Sequence, residues 1–275
     1  MKVMEAPFHY CEFDPAPALA RHVTSYWGFR ARGAAALTHR LWPDGCVSLA
    51  WILPPGGRPL AVLSGPHLRA HDVPVQPGAM YWGARFWPDA GGAVTGVSAA
   101  ELRDLSVPAP APFRAGLDRL AEAMQAEARD GPEAGDPNLQ DRVTAALDEM
   151  LLPLVCAARP LDDAVRRAVL AIVAARGDAP VAGIAAGIGL GERQLQRRFR
   201  EAVGLTPKQF ARIRRVRETA AGMLRPGARG WAGVAADFGY ADQSHLIHEF
   251  SQLTGLTPVA FEDRLRRIEH GNVQP

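Results

Sequence analysis

The sequence predicts an α+β protein with a barrel-like, β-rich N-terminal domain that carries a helical hairpin, followed by an all-α domain of two helix-turn-helix units. The C-terminal prediction depends on a repeat, because Phe-x4-Gly-Leu-Thr-Pro-x2-Phe begins at Phe199 and again at Phe250, and Ala-x3-Gly begins at Ala185 and again at Ala235. A self-similar period of this length indicates a duplicated supersecondary unit. The N-terminal prediction depends on short β-prone runs separated by Pro and Gly, which favour an antiparallel barrel or sandwich.

Residues 1–107 are predicted to form the β-rich domain, as a cupin-like barrel. Five of the six tryptophans lie in this part of the chain, where they either fill a small core or line a ligand cavity. The predicted strands are Val23–Phe29, Val47–Leu53, Leu60–Leu63, Val73–Val75 and Met80–Phe86.

Residues 108–158 are predicted to connect the two domains. Proline alternates with alanine in residues 108–112, which is typical of a stiff connector. The apolar spacing in residues 113–129 and 138–156 predicts two helices separated by a loop rich in Pro and Gly. This hairpin would bury its apolar stripes either on the β-rich domain or against a second copy of the chain, as a dimerisation element.

Residues 159–270 are predicted to form the double helix-turn-helix domain. In each unit a short helix, a Gly-containing turn and a second helix that ends at Gly are followed by Thr-Pro, with Thr as N-cap and Pro at the first helical position. The predicted helices are Leu161–Arg176, Val181–Gly187, Glu192–Val203, Pro207 to about Leu224, Trp231–Phe238, Gln243–Thr254 and a short helix from Pro258.

Charge is divided unequally along the chain, whose net charge is +2. From Pro160 onward there are 17 Lys or Arg and 12 Asp or Glu, whereas the preceding part has 14 and 17. A basic half behind an acidic half favours a polyanionic partner for the C-terminal domain alone. Three dispersed cysteines, no apolar targeting segment and no long apolar span favour reduced thiols and a soluble, cytoplasmic protein with no membrane partner.

The second helix of each unit separates a buried face from an exposed one. Leu and Phe at i and i+4, as in Leu195 and Phe199, are expected to point inward. Arg can pair with guanine and Gln with adenine, while other basic groups neutralise phosphates. A solvated charged face is the simpler interpretation, but nine basic against two acidic residues in 192–217 favours DNA. The candidate DNA-binding residues are Arg193, Gln196, Arg197, Arg200, Gln243, Ser244, Ile247 and His248.

These motifs resemble those of the AraC/XylS family of bacterial transcription regulators. The resemblance covers residues 161–267 and is carried by Ala185-x3-Gly189, Leu195-x-Arg197-x-Phe199, Gly204-Leu-Thr-Pro207, Ala235-x3-Gly239-Tyr240, Asp242-x-Ser244-His245-Leu246 and Phe250-x4-Gly255-Leu-Thr-Pro258. It implies a sequence-specific regulator whose two units read major-groove faces about one turn, roughly 34 Å, apart. It also implies that the partners are operator DNA, with RNA polymerase and a second copy of the chain as further candidates.

The same resemblance assigns base-reading roles to particular positions. Arg193, Gln196 and Arg197 match the base-reading positions of the first unit, and Ser244, Ile247 and His248 match those of the second. Members of the family usually carry Arg or Lys at the position of His248. Affinity of the second unit is therefore expected to fall as the pH rises past the His pKa.

The N-terminal part is similar to a β-rich sensor domain that precedes this module in related proteins. No particular ligand follows from this similarity, and the domain is expected to bind a small effector or a partner. The similarity is carried by Arg40-x2-Pro43-Asp44-Gly45-Cys46, Gly65-Pro66 and Gly83-x-Arg85-Phe86-x-Pro88. Arg85 stands in an otherwise apolar run, so its charge must either point outward or be paired, with Asp44 or with an anionic ligand. Pro43-Asp44-Gly45 is also favourable turn chemistry. The candidate ligand-binding residues are Trp42, Asp44, Arg85 and Trp87.

No catalytic residue, cofactor site or metal site is predicted, and the chain is not expected to be an enzyme. His245-x2-His248 lacks further ligands at metal-binding spacing. His67-x3-His71 could bind a metal only if the fold brought Cys46 or His39 close to it, and scattered surface residues are the simpler interpretation. Two alternatives stay open. A reactive thiol at Cys46 or Cys11 would make the N-terminal domain thiol-reactive or alkyl-accepting. A constitutive DNA binder would use that domain for assembly alone.

Overall fold

The structure is a computed structural model that describes residues 8–31, 37–114, 117, 120–122, 139–223 and 231–269. Within these residues the N-terminal part is built mainly of strands and the C-terminal part of helices. The predicted combination of an N-terminal β domain and a C-terminal helical domain is therefore confirmed.

The strands form two antiparallel sheets. Six of them lie in the order β1-β2-β7-β4-β5-β8, and β3 pairs with β6 in a separate two-stranded sheet. Among the described residues β1 and β8 do not pair with each other, so the larger sheet is open at these two edges. The strands are β1 (Phe8–Phe13), β2 (Val23–Ala31), β3 (Leu37–Leu41), β4 (Ser48–Leu53), β5 (Leu60–Ser64), β6 (His71–Val75), β7 (Met80–Phe86) and β8 (Ser106–Pro108), with a short helix α1 at Gly91–Thr95.

The Pro-rich connector begins as part of the larger sheet. Pro108 pairs with Val62 on the edge strand β8, where a residue without an N–H is tolerated. The backbone N–H of Ala109 then donates to the carbonyl of Ala61 at 2.9 Å. A 3₁₀ turn at Ala111–Phe113 follows. The sheet thus extends past residue 107, where sequence patterns place the end of the β-rich domain.

The second helix of the predicted hairpin packs on the sheet. This helix, α2 (Leu139–Cys156), presents Val143, Leu147 and Leu151 to the core formed by the strands, and all three are completely buried. The hydroxyl of Tyr26 on β2 donates to the carboxylate of Asp148 at 2.8 Å, which aligns the helix. The apolar face of α2 therefore packs on the β-rich domain, which was one of its two expected partners, the other being a second copy of the chain. Most of the predicted first helix lies outside the described residues.

The C-terminal part closely follows the predicted helices. They are α3 (Asp163–Ala174), α4 (Val181–Gly187), α5 (Glu192–Val203), α6 (Pro207–Met223), α7 (Trp231–Asp237), α8 (Gln243–Thr254) and α9 (Pro258–Glu269). The N-terminus of α6 carries the predicted Thr cap, in which the Thr206 hydroxyl accepts from the N–H of Gln209 at 3.2 Å. The Gln209 side chain accepts from the N–H of Thr206 in return, so two otherwise unpaired donors are satisfied.

The β-rich and helical parts are joined by a buried interface. The carboxylate of Asp89, just before α1, is completely buried and lies 2.8 Å from the guanidinium of Arg166 on α3. That guanidinium also lies 5.2 Å from the ring centroid of Trp87. Burial raises the pKa of Asp89, and the neighbouring Arg166 partly offsets this shift. No helix in the described part of the chain is both long and apolar enough to cross a membrane.

Candidate nucleic-acid interface

Helix α5 presents a basic face to solvent because its apolar residues are anchored in the core. Leu195 and Phe199 are completely buried, and each contributes about 2 kcal/mol by removal from water. The helix begins after Gly191, which is extended, and ends at Gly204, whose positive φ of 78° forms a left-handed cap. The four side chains predicted to contact DNA are all exposed: Arg193, Gln196, Arg197 and Arg200.

Acidic neighbours on the same helix engage two of these side chains. The Gln196 amide donates to the carboxylate of Glu192 at 3.0 Å, and the guanidinium of Arg197 lies 3.6 Å from the carboxylate of Glu201. Both partners are exposed, so DNA can replace them at little cost. The basic face also borders a crevice of about 540 Å³, whose lining includes Ser98 and Ala100 of the N-terminal domain.

An ion pair between distant segments orients α5 against α3. Arg198 donates two hydrogen bonds to the carboxylate of Asp162, at 2.7 and 2.6 Å. The same carboxylate caps α3 by accepting from the backbone N–H groups of Ala164 and Val165. Desolvation alone would raise the pKa of Asp162, but the bonds from Arg198 and the two backbone groups outweigh it and lower that pKa.

Helix α8 repeats this arrangement in the second unit. Asp242 caps its N-terminus by accepting from the N–H of His245 at 2.7 Å, and Leu246 and Phe250 are completely buried. The Nε2 atom of His248 lies 2.8 Å from the amide nitrogen of Gln252, one turn further along the helix. The predicted DNA-contacting residues of this unit are all exposed: Gln243, Ser244, Ile247 and His248.

A buried carboxylate ties α8 to the long helix α6, and sequence analysis did not assign it a role. Glu249 is 6% exposed and lies 2.9 Å from the guanidinium of Arg212 and 3.6 Å from that of Arg215. The spacing of Leu246, Glu249, Phe250 and Leu253 places Glu249 on the apolar face, and this is the signal in the sequence that could have identified it. The network sets the orientation of the second exposed helix relative to the first unit.

The candidate ligand-binding residues lie where the two parts of the chain meet. The guanidinium of Arg85 lies 2.9 Å from the carboxylate of Asp44, which is one of its two expected partners, and 3.0 Å from that of Glu12. Trp42 and Trp87 pack against the hydrophobic core of the helical domain, and the indole N–H of Trp87 donates to the carbonyl of Ala20 at 3.0 Å. Their role in ligand binding stays a prediction.

The cysteine and histidine candidates are placed as follows. Cys46 is buried, and desolvation together with the nearby Asp44 raises the pKa of its thiol. Its burial and raised pKa both oppose thiolate formation, which the thiol-reactive alternative would require. The Cys11 thiol lies 3.5 Å from the carbonyl of Gly28. The rings of His67 and His71 stack with centroids 3.7 Å apart.

Each of the two parts matches a known family. Residues 184–264 match a family described as a helix-turn-helix domain, and both copies of the repeat lie within that range. The C-terminal part therefore contains a helix-turn-helix domain. Residues 11–108 match a family described as a domain of unknown function, DUF6597, which coincides with the predicted sensor domain. No curated protein sequence matches the chain.

Two proteins of known structure are similar to most of the chain at low scores. ToxT from Vibrio cholerae O395 is 10% identical, with a TM-score of 0.41, over 92% of this chain and 95% of that one. The AraC-like transcriptional activator CuxR is 13% identical, with a TM-score of 0.28, over 78% of this chain and 80% of that one. Similarity this distant does not transfer a ligand to this chain.

Proposed function

We propose that this chain is a sequence-specific DNA-binding transcription regulator in which α5 and α8 enter successive major-groove faces of one operator. One observation carries the proposal: two helices at equivalent places in the repeat bury the same Leu and Phe pair and expose polar and basic side chains. This division of faces is what a helix needs when it packs on its own domain and contacts base edges.

The two helices would contribute unequally to affinity. Four exposed basic or amide side chains on α5 are suited to guanine, adenine and phosphate, whereas α8 offers Gln243, Ser244, Ile247 and His248, of which only His248 can carry positive charge. The first unit would therefore supply most of the phosphate neutralisation. The second would extend the sequence that is read.

The N-terminal domain would control this module through a small effector. Control requires that the effector bind two states of the chain with different affinity. The buried interface that includes Asp89 and Arg166 gives such states a physical basis, because its ion pair is either made or broken. A second copy of the chain and RNA polymerase are further proposed partners. A thermal-shift screen in which no compound stabilises the protein would favour the constitutive alternative.

Selection of bound DNA from a random pool by the full-length protein tests the function. We expect one enriched motif with two elements centred about ten base pairs apart. Arg197→Ala should then weaken specific binding by about 1–3 kcal/mol and relax the preference at one position. Arg167→Ala, which removes an exposed arginine from α3, is the matched control and should leave the preference unchanged. Equal discrimination between operator and mismatched DNA by wild type and Arg197→Ala would contradict this assignment.

A further inference from the structure

The N-terminal domain contacts both copies of the duplicated motif. In the first copy, Gly45 packs on Phe210. A Cβ atom added to Gly45 would lie 2.6 Å from the ring of Phe210 and 3.7 Å from a methyl group of Leu205. Gly45 has a φ of +75°, so glycine is favoured there for both backbone and space.

The same loop contacts the second copy at the equivalent positions. The ring of Trp42 lies 4.4 Å from that of Phe261, centroid to centroid, and Phe261 occupies the place in the second copy that Phe210 occupies in the first. Both phenylalanines are 1% exposed. The guanidinium of Arg40 approaches Gly255, 3.1 Å from the position that a Cβ atom would take. Residues 40–46, hereafter the clamp loop, therefore contact both copies of one motif.

The clamp loop is held to the strands of its own domain at both ends. Arg40 donates two hydrogen bonds to Asp72 on β6, at 2.8 and 3.0 Å. Asp44 pairs with Arg85 on β7 and also accepts from the backbone N–H of Cys46 at 2.9 Å. Ion pairs within the N-terminal domain therefore restrain both ends of the clamp loop.

Two contacts outside the clamp loop act on the same two regions. The carbonyl of Ala99, after α1, lies against Gly204, so closely that no side chain fits there. In the second unit, the backbone N–H of Ala70 donates to the carbonyl of Leu253 at 2.7 Å, near the end of α8. The N-terminal domain thus contacts the C-terminal ends of both α5 and α8.

We infer that the clamp loop docks on both Gly-Leu-Thr-Pro-x2-Phe motifs and sets the position of the second helix-turn-helix unit relative to the first. The ion pairs between α6 and Glu249 restrain the units from within the helical domain, and the clamp loop adds a restraint from outside it. The inference rests on the proposed function in one respect. Units held at a set separation should require a set separation between the two DNA elements.

Hydrogen exchange of the full-length protein without DNA tests the docking directly. Trp42→Ala should increase exchange in α9 and at the end of α8 by about tenfold or more, while α5 changes little. Trp42→Phe is the matched control. It keeps a ring against Phe261 and removes an indole N–H that has no hydrogen-bond partner among the described residues, so it should exchange like wild type. Unchanged exchange in Trp42→Ala, or equal acceleration in both units, would overturn the inference.

The DNA consequence is tested with the selected operator and a version in which one base pair is inserted between its elements. The insertion rotates and shifts the second element, so wild type and Trp42→Phe should lose about tenfold or more in affinity, and Trp42→Ala about threefold or less. Equal losses in all three proteins would overturn the spacing role. Failure to select any operator would instead refute the proposed function, and the exchange result would still decide whether the clamp loop docks.

Discussion

Removing the carboxylate of Glu249 gives a quantitative test of how the two units are joined. Its side chain is 6% exposed, and those of its partners Arg212 and Arg215 are 32% and 17% exposed. Removing one member of a buried ion pair costs about 3–5 kcal/mol, because the remaining charges lose their compensation. In the variant Arg212 stays accessible to water and keeps a hydrogen bond to Gln252 at 2.9 Å. We therefore expect Glu249→Ala to lower the free energy of unfolding by about 3 kcal/mol, at the low end of that range.

Denaturant unfolding of the full-length protein measures this cost. A loss of about 3 kcal/mol corresponds to a fall of roughly 6–12 °C in Tm for a chain of this size. Glu201→Ala is the control, since its carboxylate is 64% exposed and pairs with Arg197 at 3.6 Å, and it should change stability by about 0.5 kcal/mol or less. If Glu249→Ala unfolds at the same denaturant concentration as Glu201→Ala, the network does not join the units as argued.

Three further predictions concern single side chains. Because the pKa of Asp162 is held below its ordinary value of 3.8, its ion pair stabilises the fold above that pH and is lost as the pH falls through the lowered pKa. Asp162→Asn should therefore flatten the acid side of the plot of unfolding free energy against pH; an unchanged slope would contradict the pairing with Arg198. His248→Arg should make the plot of log affinity against log salt concentration steeper by about 0.9 at neutral pH, and an identical slope would mean that this position does not contact phosphate. In the native protein the exposed Cys156 should react rapidly with a thiol reagent and the buried Cys46 slowly, and fast labelling of Cys46 in a Cys156→Ser variant would revive the thiol-reactive alternative.

Local patterns predicted most of the elements, and the exceptions have identifiable causes. Strand β7 and helices α4, α5 and α8 have the predicted bounds, because periodicity, caps and turn glycines act over a few residues. Strands β1, β3 and β8 were missed because they contain charged residues or proline and lie in a small sheet or at a sheet edge. Their pairing partners are distant in sequence, and no local pattern encodes such a pairing.

The same distinction applies to the site. Exposure of the predicted DNA-contacting side chains followed from the spacing of Leu195 and Phe199, which defines the buried face of α5. The orientation of the helices could not be predicted from this spacing. It depends on ion pairs such as Asp162 with Arg198 and Glu249 with Arg212, whose members are more than 35 residues apart in the sequence. A charged residue at an apolar helix position signals that a partner exists. It does not say which of many arginines will supply it.

The contacts of the clamp loop with Phe210 and Phe261 explain the arrangement of the first sensor-domain motif. Arg40-x2-Pro43-Asp44-Gly45-Cys46 is favourable turn chemistry, yet the turn it forms is buried against the helix-turn-helix domain rather than exposed. A ligand-binding role for Arg85 and a docking role for the clamp loop are not in competition. The guanidinium of Arg85 has five N–H donors, so an anion that binds it would share its positive charge with the carboxylate of Asp44, which lies 2.9 Å away and anchors the loop to β7. Arg85 is therefore both the residue that an anionic effector would contact and the residue that anchors the clamp loop through Asp44. Binding of an effector at Arg85 would act on the contacts of the loop with Phe210 and Phe261 through this one side chain.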